Sequence, residues 1–205
     1  MKKELIEWVV CGIIALIIVV TARYYLVSPT IVKQASMYPT LENNERLLLN
    51  RTFRITKHKP KVGDIVTFQA PSSDYTGGIV DQSNPVGKYE TDPGSRLGKV
   101  LFYGFEFTKI SYIKRVIALE GQHVEIKDEG VYVDGVKLEE PYLKGDVKTE
   151  SSVFTDFVVP EGYFFAMGDN REFSRDCRVF GCIPYEKLEG IVMFRFWPFS
   201  KFGSI

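Results

Sequence analysis

The feature of this sequence that most constrains its folding is a long apolar run near its start. Residues 5–27, LIEWVVCGIIALIIVVTARYYLV, carry charges only near the two ends, at Glu7 and Arg23. A helix needs about 20 apolar residues to cross the hydrocarbon core of a bilayer. Tyr24 and Tyr25 fall where amphipathic rings meet the lipid headgroups. The run therefore predicts one transmembrane helix.

Charges beside this span predict its orientation. Lys2 and Lys3 precede it in a short tail, and the positive-inside rule keeps such a tail in the cytoplasm. We therefore expect a single-pass protein of the cell membrane whose chain after Val27 is extracytoplasmic, with the lipid bilayer as a partner. Two other interpretations stay open. The run is also compatible with a cleaved signal peptide, because residues 20–22 (VTA) resemble a cleavage region, and with a buried core helix.

Composition argues against two classes of partner. Lys+Arg and Asp+Glu are equal at 26 each, so no long-range field attracts nucleic acid. The three cysteines and two histidines include no C-x-x-C and no H-E-x-x-H spacing. We therefore expect no metal, no other cofactor and no nucleic-acid partner.

The chain after the span reads as a single strand-rich domain. Its apolar runs are short, rich in β-branched and aromatic residues, and bounded by turn residues, which is typical of strands. The fold class predicted is mainly β: an antiparallel β-sheet ectodomain with long loops, preceded by one N-terminal transmembrane helix. Residues 1–28 would be the cytoplasmic tail and anchor, and 29–205 the β-rich domain. The predicted strands lie within residues 63–68, 112–119, 123–126, 131–138, 154–159, 163–167 and 190–197.

One stretch of the domain lacks this regularity. Residues 71–98 are dense in glycine, proline and serine, which favour turns over packed structure. Residues 71–110 are therefore predicted to be an irregular, mobile insertion. Within it, residues 99–107 (KVLFYGFEF) are apolar enough to form a strand or to rest on the membrane.

Three local sequences carry chemically useful side chains: residues 34–41 (QASMYPTL), 111–119 (SYIKRVIAL) and 167–181 (MGDNREFSRDCRVFG). A serine nucleophile needs a nearby base and donors for the oxyanion. Histidine is the usual base, but no known motif ties His58 or His123 to a serine, and no G-x-S-x-G elbow is present. Lysine is the other option, provided that burial lowers its pKa from about 10.4.

The strand predicted around Lys114 offers such burial. Side chains alternate across a strand, so Lys114 and Arg115 face opposite sides. Lysine is the better base because arginine effectively never loses its proton. Ser111 and Lys114 also match the S-x-x-K of penicillin-binding proteins, but that motif needs a helix, and no K-T-G follows. Lys114 is therefore the candidate base and Arg115 a structural charge.

Taken in order after one N-terminal span, these segments resemble type I signal peptidases, in particular the small single-span Gram-positive kind. Residues 36–41 (SMYPTL) resemble the nucleophile box, residues 63–68 (GDIVTF) the strand that follows it, and residues 112–116 (YIKRV) the lysine box. Residues 168–178 (GDNREFSRDCR) resemble the last box, and residues 194–200 (FRFWPFS) are also similar. The resemblance covers the anchor and most of the domain.

The resemblance implies a membrane-bound serine endopeptidase that removes N-terminal signal peptides from exported preproteins, cutting after small residues at −1 and −3. Ser36 would attack the scissile carbonyl, and neutral Lys114 would be the general base that later protonates the leaving amine. The peptide would bind extended beside strand edges. Further implied roles are orientation of the lysine by Ser174, a turn beside the site shaped by Asp169 and Asn170, a supporting ion pair of Asp176 with Arg178, pairing of Arg115 with Asp169, and small substrate pockets lined by Val32, Met37 and Ile113.

The sequence departs from the family pattern in three places. Gln34 stands where relatives carry glycine or a serine that donates to the oxyanion, which leaves the Ser36 N–H as the main donor. Cys177 stands where serine is usual, and a small disulfide with Cys182 is an open possibility outside the cytoplasm. The loop before Lys114 is longer than usual.

Other functions on the same fold stay open. One is a dedicated peptidase that serves a few substrates such as pilin subunits, and another is a non-catalytic accessory of surface-fibre assembly. The presence of both Ser36 and Lys114 argues against the accessory. Self-cleaving repressors share a Ser–Lys pair, but they work in the cytoplasm, which the predicted export excludes.

Overall fold

The chain begins with a helix that contacts the rest of the protein only near its C-terminal end, within the described residues. The computed structural model describes residues 2–75, 81–89, 95, 110–127, 130–145, 147–150 and 152–205. Helix α1, Lys2–Tyr25, has no buried residue and is long and apolar enough to cross a membrane. The prediction of one N-terminal apolar helix is confirmed.

Two antiparallel sheets follow α1. The larger sheet contains β1 (Val27–Ile31), β2 (Arg46–Asn50), β3 (Ile65–Gln69), β4 (Ser111–Leu119), β9 (Tyr163–Met167), β10 (Ile183–Pro184) and β11 (Leu188–Trp197). The smaller sheet contains β5 (His123–Lys127), β6 (Gly130–Val133), β7 (Val136–Lys137) and β8 (Asp156–Val158). The described helices after α1 are short: α2 (Phe53–Thr56), α3 (Cys177–Phe180) and three 3₁₀ turns at Arg171–Phe173, Tyr185–Lys187 and Phe199–Lys201. The fold is mainly β, as predicted.

Strand order brings distant parts of the chain together. The larger sheet runs β1-β2-β11-β3-β4-β9-β10 and the smaller one β7-β6-β5-β8. In the larger sheet β4 lies between β3 and β9, with Arg115 opposite Ile65 on one side and Met167 on the other. The pairing with β9 has a bulge at Ile117, where Val116 and Ala118 face the adjacent residues 166 and 165. The lysine segment and the segment after β9 are therefore neighbours.

Apolar side chains from both sheets form the main core. Phe68, Phe164 and Phe180 meet edge to face at its centre, with ring centroids 6.0 and 6.3 Å from that of Phe68. A second, smaller cluster packs beneath the loop between β1 and β2. Its buried members are Val32, Met37, Leu41, Leu47 and Ile65.

Each of the seven predicted segments contains one or more strands, but three strands were missed. β1 contains Pro29, which removes a backbone donor and weakens a strand pattern, yet Pro29 is tolerated because β1 is an edge strand. β2 (RLLLN) is short and does not alternate, and β10 has only two residues. The predicted tight turn at Asp134 and Gly135 is present, with φ values of 52° and 78°.

The described part of the 71–110 insertion is irregular but packs on the domain. Tyr75 lies edge to face against Phe154, with centroids 4.9 Å apart, and its hydroxyl donates to the Val86 carbonyl at 2.7 Å. The Gly87 N–H donates to the carbonyl of Cys182. The aromatic side chains of these residues add to the main core. The mobility expected of the insertion stays a prediction. The strand suggested at residues 99–107 lies outside the described residues.

Candidate active site

The loop between β1 and β2 carries Ser36. Its ends are closed by hydrogen bonds between Val32 and Glu45 (2.8 Å) and between Asn44 and Val32 (2.9 Å). Met37 is fully buried in the small cluster, and one helical turn follows, closed by the bond from the Leu41 N–H to the Met37 carbonyl. This packing fixes the backbone of Ser36, whose side chain points to β4.

Lys114 projects from β4 towards that serine. Its Nζ lies 2.7 Å from Ser36 Oγ, and the two residues are 3% and 8% exposed. Burial lowers the pKa of Lys114 to about 8, although the Asp176 carboxylate acts in the opposite direction. Among the described residues no carboxylate forms an ion pair with Lys114. A large part of the amine is therefore neutral near pH 8 and lies within reach of a hydroxyl proton.

The opposite face of β4 holds Arg115 in a different environment. Its Nε and Nη2 donate to the two oxygens of Asp169 at 2.9 and 2.7 Å. Thr40 donates to the same carboxylate at 2.5 Å, and Tyr142 lies beneath the guanidinium, 4.0 Å from its carbon. The expected partner of Arg115 is thus the observed one. The ion pair also ties the nucleophile loop to β4 and to the segment after β9.

The turn after β9 contacts the loop that carries Ser36 directly. The backbone N–H of Asn170 donates to the Ser36 carbonyl, and its side-chain amide donates to the Ala35 carbonyl, both at 3.0 Å. Asn170 and Asp169 thus contact the loop from adjacent positions, through Ala35, Ser36 and Thr40. These bonds restrain the position of Ser36 relative to Lys114.

Gly168 lies at the tightest point of this contact. A Cβ at this position would approach the Ser36 carbonyl oxygen to 2.4 Å and the Ser174 Oγ to 2.1 Å. Ser174 is therefore beside the site, and its buried hydroxyl lies close enough to the Asp176 carboxylate to help lower the pKa of that group. No hydrogen bond joins it to Lys114 within the described part of the chain, so its orienting role stays a prediction.

Asp176 and Arg178 form the ion pair expected of them. Nε and Nη2 of Arg178 donate to the two carboxylate oxygens at 2.9 and 3.0 Å. Burial would raise the pKa of Asp176, but hydrogen bonds from Arg178 and from the Gly168 N–H hold it below its usual value. Asp176 also caps α3 by accepting from the Arg178 N–H. The pair fixes the segment that carries Ser174.

A cleft of about 500 Å³ opens beside Ser36 and Lys114. Val32 and Ile113 line it, as expected of pocket residues. Met37 does not, because it is fully buried in the cluster below. These placements supply an apolar floor next to the reactive pair.

Gln34 also lines the cleft, with a strained backbone. Its φ is 92°, which lies in a region of backbone conformation that residues other than glycine rarely adopt. Its N–H donates to the Asn43 side chain at 3.3 Å. The side chain of Gln34 is exposed. The unusual φ therefore affects the direction of the backbone that leads to Ser36 and not the packing of the Gln34 side chain.

The possible disulfide is absent. Cys177 and Cys182 are both free thiols, and both are completely buried. Cys177 accepts a hydrogen bond from the Ala166 N–H at 3.2 Å. Burial raises the pKa of both thiols. They serve here as small core side chains.

Comparison with known proteins identifies the family. A family model described as signal peptidase, peptidase S26, matches residues 5–197. Signal peptidase IB of Staphylococcus aureus is 33% identical, with 98% of this chain and 94% of that protein covered. The chain belongs to the S26 family of signal peptidases.

Two further signal peptidases are similar to this chain. A probable signal peptidase I-1 of Synechocystis is 33% identical over 94% of this chain and 82% of its own length. A solved signal peptidase I from Enterococcus faecalis is 25% identical over 65% of this chain and 97% of its own, with a TM-score of 0.41. Membership makes the chain a serine peptidase, and α1 makes it a membrane-anchored one.

Three residues that contact the signal peptidase site were missed in the sequence. Thr40 and Gly168 lie within boxes that were singled out, and a glycine directly before Asp169 was the available signal for a close approach. No local sequence pattern indicated that Tyr142 would lie near the site. Tyr142 stacks on Arg115 and donates its hydroxyl to Glu140, whose carboxylate forms a buried ion pair with Arg171.

Proposed function

We propose that this peptidase removes N-terminal signal peptides from exported preproteins, with Ser36 as nucleophile and Lys114 as general base. The observation that carries the proposal is the 2.7 Å contact between Lys114 Nζ and Ser36 Oγ in a buried setting that favours the neutral amine. A non-catalytic accessory would have no need of a desolvated lysine, which opposes folding.

Acylation follows from this geometry. Neutral Lys114 accepts the hydroxyl proton of Ser36 as Oγ bonds to the scissile carbonyl carbon. The negative charge that develops on the carbonyl oxygen is held by the Ser36 N–H, which Gln34 helps to orient through its positive φ. Lys114 then gives the proton to the leaving amine, and the signal peptide remains as an ester of Ser36.

Deacylation uses the same groups in the reverse sense. Lys114, neutral again, takes a proton from a water molecule that attacks the ester carbonyl. Collapse of this second tetrahedral intermediate releases the carboxylate of the signal peptide and returns the proton to Ser36 Oγ. Ser174, beside Gly168, would orient the ammonium between these steps.

The edge of β4 supports an extended peptide. Residues 111–114 pair with β3 on one side, whereas β9 begins to pair with β4 only at Arg115. The other edge of residues 111–114 faces the cleft, whose opposite wall is formed by residues 29–34 at the end of β1 and the start of the loop that carries Ser36. A substrate strand would add there by backbone hydrogen bonds. Val32 and Ile113 would read small side chains at −1 and −3, and Met37 would support them from below.

The anchor confines enzyme and substrate to one surface. We propose that residues 1–28 are the cytoplasmic tail and membrane anchor and that 29–205 form the extracytoplasmic peptidase domain, although the helix itself ends at Tyr25. Ser36 lies nine residues beyond Val27, the last residue of the apolar run. Nine extended residues at about 3.3 Å each keep it within roughly 30 Å of the span. The exposed Trp197 and Phe199 are further candidates for lipid contact.

Cleavage of a preprotein with alanine at −3 and −1 tests the proposal. Detergent-purified protein should release the signal peptide, and Ser36→Ala and Lys114→Met should each be inactive but folded. His123→Ala is the matched control, since His123 is 40% exposed and pairs only with Asp156 on the small sheet in the described part of the chain. Processing by the Ser36 variant at the wild-type rate would refute the enzyme assignment.

A further inference from the structure

A second cleft lies where α1 meets the β domain. Its volume is about 590 Å³, within the range of about 300–1,000 Å³ found for ligand sites. Tyr24 and Tyr25, the last residues of α1, form one wall, and Arg54 and Lys57 lie on the domain side. No residue lines both this cleft and the one beside Ser36. It is therefore separate from the proposed peptidase site.

The end of α1 is fastened to the domain beside this cleft. Arg51 is 2% exposed, and its backbone N–H donates to the Leu26 carbonyl at 2.8 Å. Its guanidinium donates to the Arg23 carbonyl at 3.4 Å, so one residue contacts two backbone carbonyls near the end of the helix. The cleft consequently keeps a fixed place relative to the span.

That place is the headgroup layer. The 24 residues of α1 extend about 36 Å at 1.5 Å per residue, slightly more than the hydrocarbon core of about 30 Å. Tyr24 and Tyr25 lie at its domain end, where tyrosine rings favour the interface. A cleft lined by these two residues opens among phosphates and glycerol groups.

The cleft has an excess of cations suited to phosphate. Its charged lining comprises four cations and two carboxylates: Arg54, Lys57, Lys59, Lys187, Glu186 and Glu189. Lys59 is engaged by Glu120. Among the described residues, neither Arg54 nor Lys57 forms an ion pair. Two positive charges therefore face the cleft without a close ion-pair partner in the described part of the chain, although the Glu189 carboxylate attracts the Arg54 guanidinium.

Among these cations, Arg54 gives the strongest indication of an anion-binding site. Its guanidinium stacks over Tyr24 with 4.2 Å from the carbon to the ring centroid and also interacts with the Tyr24 hydroxyl. The buried Nε of Arg54 has no hydrogen-bond partner within the described ranges. Burial lowers the pKa of Arg54, although the group stays charged. A desolvated donor of this kind is costly unless an acceptor reaches it, and a phosphate can take two parallel N–H bonds from a guanidinium.

We propose that this cleft binds the phosphate headgroup of an anionic phospholipid from the leaflet on the side of the domain. Arg54 and Lys57 hold the phosphate, and Tyr24 with Tyr25 contacts the glycerol region. The excess of cations over carboxylates selects an anionic lipid over a zwitterionic one. The proposal goes beyond the proposed function and depends on α1 spanning a bilayer, not on the identity of the nucleophile or base.

Lipid retention by the full-length protein tests the proposal. The protein is placed in phosphatidylcholine nanodiscs with about one-third phosphatidylglycerol, extracted in mild detergent, and its bound lipids are counted by native mass spectrometry. We expect phosphatidylglycerol to be retained over phosphatidylcholine, and retention to fall at least about threefold in Arg54→Gln and in Lys57→Gln. Lys57 is exposed, so its variant folds even if the Arg54 variant does not.

Controls separate the headgroup site from general attraction and from catalysis. Lys137→Gln removes the same charge from exposed β7 and should leave retention unchanged. Equal loss in Lys137→Gln, equal retention of both lipids, or displacement of phosphatidylglycerol by inorganic phosphate at millimolar concentration would each overturn the proposal. Lys57→Gln should cleave a short soluble peptide at the wild-type rate. Retention is read without cleavage, so this test stands even if the proposed function fails.

Discussion

Lys114 and Arg115 are neighbours on one strand, are similarly buried, and meet opposite surroundings. Lys114 faces the nucleophile loop, where its described hydrogen-bond partner is the hydroxyl of Ser36. Arg115 faces Asp169, which accepts two of its hydrogen bonds. Burial without a counter-charge makes an amine a base, whereas burial with a bidentate partner makes a cation part of the framework. The two faces of β4 thus hold a lysine without an ion-pair partner among the described residues and an arginine that is paired with a carboxylate.

The largest difference between the two faces should appear in activity. Lys114→Met and Lys114→Arg should both lose at least about 10³-fold in kcat/KM, the second because arginine cannot become neutral at working pH. Arg115→Lys keeps a charge on the supporting face and should retain measurable cleavage. Initial rates of cleavage of one preprotein measure these differences. An active Lys114→Arg enzyme would contradict the proposal that Lys114 is the general base.

The next difference concerns stability. Arg115→Met leaves the buried Asp169 carboxylate without its ion-pair partner and should cost about 3–5 kcal/mol in the free energy of unfolding. Arg115→Met combined with Asp169→Leu should be clearly less destabilised than the single variant, because no unpaired charge remains. Denaturant titration in detergent measures both. A double variant as unstable as the sum of the single variants would mean that the pair is not coupled.

Lys114→Met should change stability in the other direction. The folded-state pKa of about 8 lies below the unfolded value of 10.5, so the native state binds fewer protons between these values and burial of the lysine opposes folding below pH 8. Methionine removes this cost, and the variant should be more stable than wild type at pH 7 by about 1–3 kcal/mol. The advantage should vanish as pH rises from 8 to about 10.5. A variant less stable than wild type at pH 7 would show a charged, paired lysine.

The same pKa sets the pH dependence of the rate. Because the neutral amine is the working form, kcat/KM should rise about fivefold from pH 7 to pH 8 and about twofold more above it. A short peptide substrate without titratable groups gives the cleanest profile. A flat profile from pH 6 to 10, with chemistry shown to limit the rate, would contradict the mechanism.

The smallest effect is expected at Gln34. Its φ of 92° is strained for a side chain, so Gln34→Gly should stabilise the native state by a few tenths to about 1 kcal/mol, partly offset by a freer unfolded chain. Cleavage should stay within a few-fold of wild type, since the side chain is exposed. Gln34→Ala keeps the strain and is the matched control. A large rate loss in both variants would instead assign the oxyanion to the glutamine amide.

Prediction from sequence succeeded where a local period carried the information. The runs around β3, β4, β9 and β11 alternate or cluster in ways that only strands satisfy, and the apolar run of α1 is too long for a strand. β1 and β2 were missed because a proline and a short run without alternation carry weak local signals. The pairing of the two strands, with Pro29 opposite Leu48, depends on tertiary contacts. The insertion was judged by composition, which says nothing of Tyr75 docking on Phe154.

The site divides in the same way. The sequence by itself predicted the anchor, the strand-rich domain, lysine rather than arginine as the candidate base and, through resemblance, Ser36 and Lys114 as the candidate pair. The tertiary structure alone decided the 2.7 Å contact between them, the clamp of Thr40 on Asp169 and the close approach at Gly168. Residues up to 135 positions apart meet there, and local periodicity holds no information on such distances. The lowered pKa of Lys114 likewise depends on desolvation by side chains from several strands, which exists only once the sheets have packed.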